Sequence, residues 1–182
     1  MKIGVISDTH GSLYFYEKAL KVIGSFDYII HCGDVLPKGR FVEGGYDPEE
    51  LGKRLDRQKN IFFAQGNGDA YSKGLMPHTE FKKDMCLSLG KHRIFVTHGH
   101  LYSKMSLMMK AKEAKADIVC YGHSHVKELA FHDEMLVLNP GSTTLPRDGS
   151  RSCAVIEDDS VSVFDIITGE VLGKLRLNDL NS

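Results

Sequence analysis

Short apolar segments that run into aspartate or histidine recur along this chain. Residues 1–6 run into Asp8 and His10, and residues 28–32 run into Gly33 and Asp34. The stretch between them has the apolar spacing of an amphipathic helix. Buried strands that alternate with helices are typical of parallel sheets, whose carboxyl ends gather at one edge. The first half of the chain therefore predicts an α/β fold with polar residues collected at the ends of its strands.

Capping residues mark the helix boundaries in this half. Ser12 is a suitable N-cap, and Gly24 falls where the first helix should end. A second helix is predicted to begin at Asp47 and Pro48, a capping residue followed by proline at the first helical position. A further strand is predicted over residues 61–64.

The second half of the chain is predicted to be mainly β-structure. Residues 82–89 and 93–97 form a predicted hairpin, another strand is predicted over 118–121, and short strands complete the chain. One helix interrupts them. Its methionines are expected to pack in the core, with a dimer interface as the alternative: Met105, Met108 and Met109.

Composition limits the class of protein. We expect one domain over residues 1–182, and a net charge of −1 gives no sign of a nucleic-acid or anionic-membrane surface. No apolar run approaches the ~20 residues that span a bilayer, and no signal segment precedes the first strand, so a cytoplasmic protein is expected. The four cysteines are far apart, which favours buried free thiols over a disulfide frame or zinc knuckle.

Five predicted strand ends carry polar residues suited to binding metal. A structural zinc site closes with four ligands, so this set is too large for one such ion, and mixed oxygen and nitrogen donors suit a pair of divalent ions. Two ions ~3.5–4 Å apart would clamp a phosphoryl group and ionise a shared water for in-line attack. Asp34 is the natural bridging carboxylate. The residues are Asp8, His10, Asp34, Asn67, His98, His100, His123 and His125.

Single members of this set also have simpler interpretations. Asp34 follows a glycine and Asn67 lies between two, and both settings are typical of turns. The pair His123 and His125 is the most specific feature, because two histidines spaced by two at a strand end seldom have a packing reason. The conjunction of all five strand ends carries the prediction.

The order of these motifs resembles that of the calcineurin-like metallophosphoesterases, over about residues 1–145. Within that family it resembles the small YfcE-like phosphodiesterases of bacteria and archaea. The resemblance implies a four-layer α-β-β-α sandwich of two mixed β-sheets and a dinuclear metal site. The motifs are Asp8-x-His10, Gly33-Asp34, Gly66-Asn67-x-Asp69, His98-Gly99-His100 and Gly122-His123-x-His125.

The ligand sets that the resemblance implies share one carboxylate. One ion would take Asp8, His10, Asp34 and His125, and the other would take Asp34, Asn67, His98 and His123. Mn²⁺ is the expected ion, with Zn²⁺, Fe²⁺, Ni²⁺ and Co²⁺ as alternatives.

The resemblance implies a metal-dependent phosphodiesterase, a phosphoric diester hydrolase that uses a hydroxide generated at the dinuclear centre. The alternatives are a phosphomonoesterase of the same fold and a protein-binding scaffold like the retromer subunit of this superfamily. The expected partner is a small phosphodiester substrate. A long nucleic-acid duplex and a membrane are not expected, and a homo-oligomer is a further expectation.

One position departs from the family pattern. Most members have a histidine beside the leaving group where this chain has Gly68. Two hypotheses follow: protonation of the leaving group comes from bound water or from a neighbour such as His100, and good leaving groups are favoured. We assign catalytic roles to His100 and to Asp69, which is expected to orient Asn67 or a ligand histidine.

Other polar residues keep two interpretations. His31 either supports the ligands or is a neutral core histidine. Lys38, Arg40 and Arg147 lie in loops that border the predicted crevice or carry solvated charges, and a solvated charge is the favoured interpretation for each.

Overall fold

This chain folds into two β-sheets stacked face to face, with helices on both outer faces. The computed structural model describes residues 1–36 and 45–177. The predicted four-layer sandwich is confirmed. The strands are β1 (Ile3–Ile6), β2 (Tyr28–His31), β3 (Ile61–Ala64), β4 (Phe81–Lys82), β5 (Asp84–Leu89), β6 (His92–Thr97), β7 (Ile118–Cys120), β8 (Glu128–His132), β9 (Met135–Asn139), β10 (Ser152–Ile156), β11 (Ser160–Asp165) and β12 (Val171–Arg176). The helices are α1 (Leu13–Ile23), α2 (Pro48–Asp56), α3 (Ser72–Leu75) and α4 (Lys104–Glu113).

Both sheets are mixed. The seven-stranded sheet has the order β12-β11-β10-β1-β2-β3-β4, in which β1 to β4 are parallel and β10 to β12 are antiparallel additions. The five-stranded sheet has the order β5-β6-β7-β9-β8, and its central strands β6, β7 and β9 are parallel. Each sheet therefore directs the carboxyl ends of its parallel strands to one edge.

Alternation along the strands explains the layers. Ile3 and Val5 of β1 pack between the sheets, whereas Ile6 packs against α1 and α2 on the outer face. In β6, Ile94 faces the space between the sheets and Phe95 faces α4. Successive strand side chains point to opposite faces, so one strand contributes to two cores.

The capping residues act as the sequence predicts. The Ser12 side chain accepts a hydrogen bond from the backbone of Phe15 at the start of α1, and Gly24 ends that helix with a positive φ of 71°. Asp47 caps α2 in the same way through the backbone N–H of Glu50. These caps satisfy N–H groups that have no partner within the helix.

Three local predictions are corrected by the fold. Lys82 does not join the strand at 84–89, because it pairs with β3 in the other sheet. Met108 packs against the core, but Met105 and Met109 are 76% and 59% exposed on α4. Three cysteines are buried and unpaired as expected, whereas Cys86 is exposed on β5, at the edge of its sheet.

Candidate metal centre

The predicted ligands follow the carboxyl ends of five parallel strands. Asp8 and Asp34 lie just beyond β1 and β2, and Asn67 lies beyond β3. His98 and His123 lie beyond β6 and β7 of the facing sheet. The stacking of the two sheets brings these two rows of strand ends together, which the order of the chain alone does not do.

The backbone at most of these positions is left-handed. Seven non-glycine residues in the described part of the chain have positive φ, and five of them are predicted ligands. This conformation is uncommon for residues with a Cβ atom, and strained backbone tends to collect at functional sites. The ligands are therefore held in conformations that their surroundings must enforce. The five are Asp8, His10, Asp34, His123 and His125.

Asp8, His10 and His125 form the first group of donor atoms. His125 Nε2 lies 3.1 Å from Asp8 Oδ1 and 3.2 Å from His10 Nε2, and His10 Nε2 is 3.8 Å from Asp8 Oδ1. All three side chains are buried. Three donor atoms within this distance of one another have the spacing of ligands to one cation.

Asp34 and His98 form a second group, which Asp8 also joins. Their donor atoms lie within 4.8 Å of one another, and His98 Nε2 is 3.7 Å from Asp34 Oδ1. Asn67 adds its Oδ1, 3.3 Å from the same ring nitrogen. The carboxylate common to the two groups is thus Asp8, whereas the sequence favours Asp34 as the bridge.

The histidine tautomers fit a divalent metal. His125 Nδ1 donates to the carbonyl of Leu145 at 2.6 Å, and His98 Nδ1 donates to the carbonyl of Cys32 at 2.7 Å. Each bond fixes the proton on Nδ1 and leaves Nε2 with its lone pair directed at the carboxylates, the usual arrangement in metal-ligating histidines. With the His125 proton on Nδ1, the buried Asp8 Oδ1 accepts no hydrogen bond from the described residues, although His125 Nε2 lies 3.1 Å away. This donor set therefore fits a cation.

The charges in the first group support each other. Burial opposes the ionisation of Asp8, but His125, His98 and the Ser7 hydroxyl outweigh it, so the pKa of Asp8 lies below its usual value. Burial likewise opposes protonation of His125, and Asp8 outweighs it, so the pKa of His125 is raised. Asp8 is therefore ionised at neutral pH and available as a ligand.

His123 and His100 lie at the second group. The His123 ring centroid is 5.1 Å from that of His98, and His100 is 5.3 Å from His98. Burial and then the charge of His98 lower the pKa of both His123 and His100, which favours neutral rings. Gly122 permits the approach of this loop, because a Cβ atom there would lie 2.0 Å from Ser7 Oγ.

Asp69 holds the turn that carries Asp34. Its carboxylate accepts hydrogen bonds from the backbone N–H groups of Asp34, Val35 and Gly66 at 2.7–2.8 Å, and from the Ser72 hydroxyl at 2.6 Å. These partners differ from the Asn67 amide or ligand histidine that the sequence led us to expect. Burial raises the pKa of Asp69 above its usual value.

The family follows from comparison with known proteins. The model of the calcineurin-like phosphoesterase superfamily domain matches residues 1–160. The chain belongs to this superfamily. Two similar members are the phosphodiesterase YfcE of Escherichia coli, 28% identical over 98% of this chain and 99% of that protein, and the probable metallophosphoesterase YsnB of Bacillus subtilis, 30% identical over 90% and 89%.

Solved structures agree with this family assignment. YfcE from E. coli, described as a phosphoesterase, superposes with a TM-score of 0.83 at 26% identity over 98% of this chain and all of that one. Vps29 of Entamoeba histolytica, solved with Zn²⁺, has a TM-score of 0.68 at 18% identity over 98% of this chain and all of that one, a likeness of fold alone. None of the helices in the described part of the chain combines the length and apolar character that a bilayer crossing needs.

The loop after β9 braces this phosphoesterase site, a role that the sequence did not reveal. The Ser142 hydroxyl donates to the carbonyl of Asp8 and the Thr144 hydroxyl to that of Thr9, each at 2.8 Å. The run Asn139-Pro140-Gly141-Ser142 is typical of a turn, and it is the sequence signal for this loop. It fixes the backbone of the first ligand motif from more than a hundred positions away.

The same loop contains a positively charged side chain, that of Arg147. The Arg147 backbone N–H donates to the carbonyl of His125 at 3.0 Å, and its exposed guanidinium opposes the rise in the pKa of His125. Arg147 therefore lies in the loop next to His125, one of the two positions that the sequence allowed. Lys38 and Arg40 lie outside the described residues.

Proposed function

We propose that this chain is a metal-dependent phosphodiesterase that hydrolyses small phosphodiesters. The observation that carries the proposal is the convergence of two groups of buried donor atoms, Asp8/His10/His125 and Asp8/Asp34/His98, at facing strand ends. Membership of the phosphoesterase superfamily supports the reaction class, and the relative YfcE bears the name phosphodiesterase. A single domain spanning residues 1–182 is part of the proposal.

Two divalent ions are the proposed cofactors. Asp8, His10 and His125 would hold one ion, Asn67, His98 and His123 would hold the other, and Asp34 would be shared. When bound, the ions supply Lewis-acid activation of the phosphoryl group and of the attacking water. Mixed carboxylate, amide and imidazole donors without thiolate favour Mn²⁺ among the candidates, ahead of Zn²⁺, Fe²⁺, Ni²⁺ and Co²⁺.

Asp34 is the proposed shared ligand because it accepts fewer hydrogen bonds from the protein than Asp8 does. Asp8 Oδ2 accepts from the Ser7 hydroxyl at 2.6 Å and from the backbone of His123 at 3.1 Å, so Asp8 offers the crevice its Oδ1. Asp34 Oδ1 accepts from the backbone N–H of Gly68 at 2.7 Å. Asp34 thus retains more lone pairs for two ions.

His100 is proposed to pass a proton from water to the leaving group, because a neutral ring can accept a proton at one nitrogen as it donates from the other. Its ring lies beside His98 and His123, and its Nδ1 forms no hydrogen bond with the described residues. Gly68 contributes only its backbone N–H at this position, so the chain has no histidine side chain there. Asp69 is proposed to act by positioning, through the backbone of Asp34.

Metal reconstitution tests the proposed function. The protein, stripped with a chelator and reloaded with each ion in turn, should hydrolyse bis-para-nitrophenyl phosphate fastest with Mn²⁺ and far faster than para-nitrophenyl phosphate. A higher kcat/KM for the monoester would identify a phosphomonoesterase. An intact fold without metal-dependent turnover on either substrate would overturn the enzymatic proposal and favour a binding scaffold.

The setting of the enzyme completes the proposal. A cytoplasmic location is supported by four free cysteines, which suit a reducing compartment.

A homo-oligomer is supported by the exposed apolar side chains of Met105 and Met109 on α4. Light scattering on the purified protein measures the oligomeric state, and a Met105→Glu variant that remains associated would exclude this face.

A further inference from the structure

His31 and Thr9 form a hydrogen-bonded pair inside the core beside the metal centre. His31 Nε2 lies 3.0 Å from Thr9 Oγ1, and the Thr9 hydroxyl donates to the carbonyl of Val35 at 2.9 Å. His31 Nδ1 accepts the backbone N–H of Gly33 at 3.1 Å. Both side chains are fully buried. Every polar atom of the pair therefore has a partner.

These bonds permit one arrangement of protons. The Gly33 N–H donates to Nδ1, so this nitrogen carries no proton. The hydroxyl proton of Thr9 is given to Val35, so Thr9 Oγ1 must accept from the Nε2–H of His31. The ring is thus neutral and fixed in one tautomer. Rotating either side chain leaves a buried polar group without a partner, which costs roughly 1–3 kcal/mol.

The pair joins the two turns that carry the carboxylates. Thr9 lies between Asp8 and His10, whereas Gly33 and Val35 flank Asp34. Asp8, His10 and Asp34 all have positive φ, a conformation that needs support from outside the turn. The backbone bonds Asp8 to Gly33 and His10 to Asp34, at 3.0 and 3.1 Å, run alongside the pair.

We infer that Thr9 and His31 are positioning residues, which fix the Asp8–His10 turn against the Asp34 turn and thereby set the affinity of the site for divalent metal. Neither side chain is placed to touch metal or substrate. The inference rests on the proposed function, because it assumes that these turns hold a cation. A histidine serving only to fill the core would affect the stability of the metal-free protein and leave metal affinity unchanged.

Four variants separate these roles. Thr9→Val removes the hydroxyl at nearly constant volume, and Thr9→Ser keeps it. His31→Phe keeps a ring and removes both nitrogens. His92→Phe is the matched control, because His92 is also buried and bonds one carbonyl, that of Asp158, at the opposite end of β6 from His98. If His31→Phe does not fold, Thr9→Val carries the test.

The measurement is the binding of Mn²⁺ to metal-free protein by titration calorimetry, together with the Tm of the metal-free form. Thr9→Val and His31→Phe should each weaken Mn²⁺ binding 10–100-fold, the range typical for residues that support metal ligands. Thr9→Ser and His92→Phe should bind like wild type. The double variant Thr9→Val/His31→Phe should bind Mn²⁺ as tightly as the single variant with the lower affinity, because the two residues act as a unit.

Unchanged Mn²⁺ affinity in Thr9→Val and His31→Phe, whatever their Tm, would overturn the inference. Equal weakening by His92→Phe would overturn it as well, since the effect would then be general loss of stability. A wild-type protein that binds no divalent ion would instead overturn the proposed function, so the two failures are distinguishable.

Discussion

The Nε2 atoms of His10 and His125 lie 3.2 Å apart, although 115 positions separate the residues in the chain. His10 follows β1 of one sheet, and His125 follows β7 of the other. Two unprotonated ring nitrogens at this distance repel each other unless a proton or a cation lies between them. Asp8 Oδ1, 3.1 Å from His125, adds negative charge at the same point. This geometry accounts for the metal requirement that we expect.

The shared carboxylate can be identified by counting bound ions. We expect Asp34→Asn to lose both ions, because a bridging ligand serves each of them. Asp8→Asn should lose one ion in preference to the other. Metal analysis of the purified variants gives the stoichiometry. The control is Asp117→Asn, which changes a carboxylate just before β7, at the end of that strand opposite the site. Loss of both ions from Asp8→Asn and of one from Asp34→Asn would make Asp8 the bridge.

Gly68 should set the preference for the leaving group. Without a side chain at this position, we expect aryl diesters, which need little acid assistance, to be hydrolysed much faster than alkyl diesters. Gly68→His should raise the alkyl rate relative to the aryl rate by at least about tenfold, since general acids contribute roughly 10²–10⁴-fold. Steady-state kcat values on both substrates, with Gly68→Ala as control, give the ratio. An unchanged ratio contradicts the prediction.

Arg147 should contribute to binding rather than to chemistry. Its guanidinium is exposed beside His125, where it can meet the charge of a substrate phosphate. We expect Arg147→Ala to raise KM about tenfold with less than a twofold change in kcat, as the loss of one charged contact to the bound substrate would do. The salt dependence of KM and of kcat should not increase. Arg176→Ala, at the distant end of β12, is the control. A normal KM in Arg147→Ala would indicate a solvated surface charge.

Asp69 should be needed for stability as well as for metal binding. Its carboxylate accepts four hydrogen bonds from buried or nearly buried groups, and an amide in its place turns at least one N–H toward these donors. We expect Asp69→Asn to lower the free energy of unfolding of the metal-free protein by about 2–4 kcal/mol. Urea denaturation measures it. An Asp69→Asn variant of normal stability but reduced kcat would favour a direct catalytic role.

His31 should make the stability of the metal-free protein depend on pH. Burial, which outweighs the charge of Asp8, lowers the pKa of His31 from 6.5 to about 3. As pH falls below 6.5, the unfolded chain takes up a proton at His31 that the folded protein does not bind. The contribution of His31 to stability is therefore fully present above pH 6.5 and is lost as the pH falls toward 3. Between pH 6 and 4, wild type should lose about 1.4 kcal/mol per pH unit more than His31→Phe. Equal slopes in urea denaturation would contradict this pKa.

Local sequence signals predicted most of the elements and the candidate ligands that the fold brings together. Ser12, Gly24 and Asp47 define helix ends through bonds within a few residues, so their effect does not depend on the rest of the fold. The clusters after the strands also belong to short segments, and the parallel arrangement of the strands collects them at one edge.

The tertiary structure determines which residues of the site contact one another. The facing of the two sheets determines that His10 meets His125, and the loop after β9 braces Asp8 through Ser142. Asp69 bonds the backbone of another turn, because the register of β2 and β3 places those N–H groups beside it. Such contacts depend on which strands are neighbours and which faces meet. A single sequence therefore names the residues of this site, whereas the stacking of the sheets assigns them their partners.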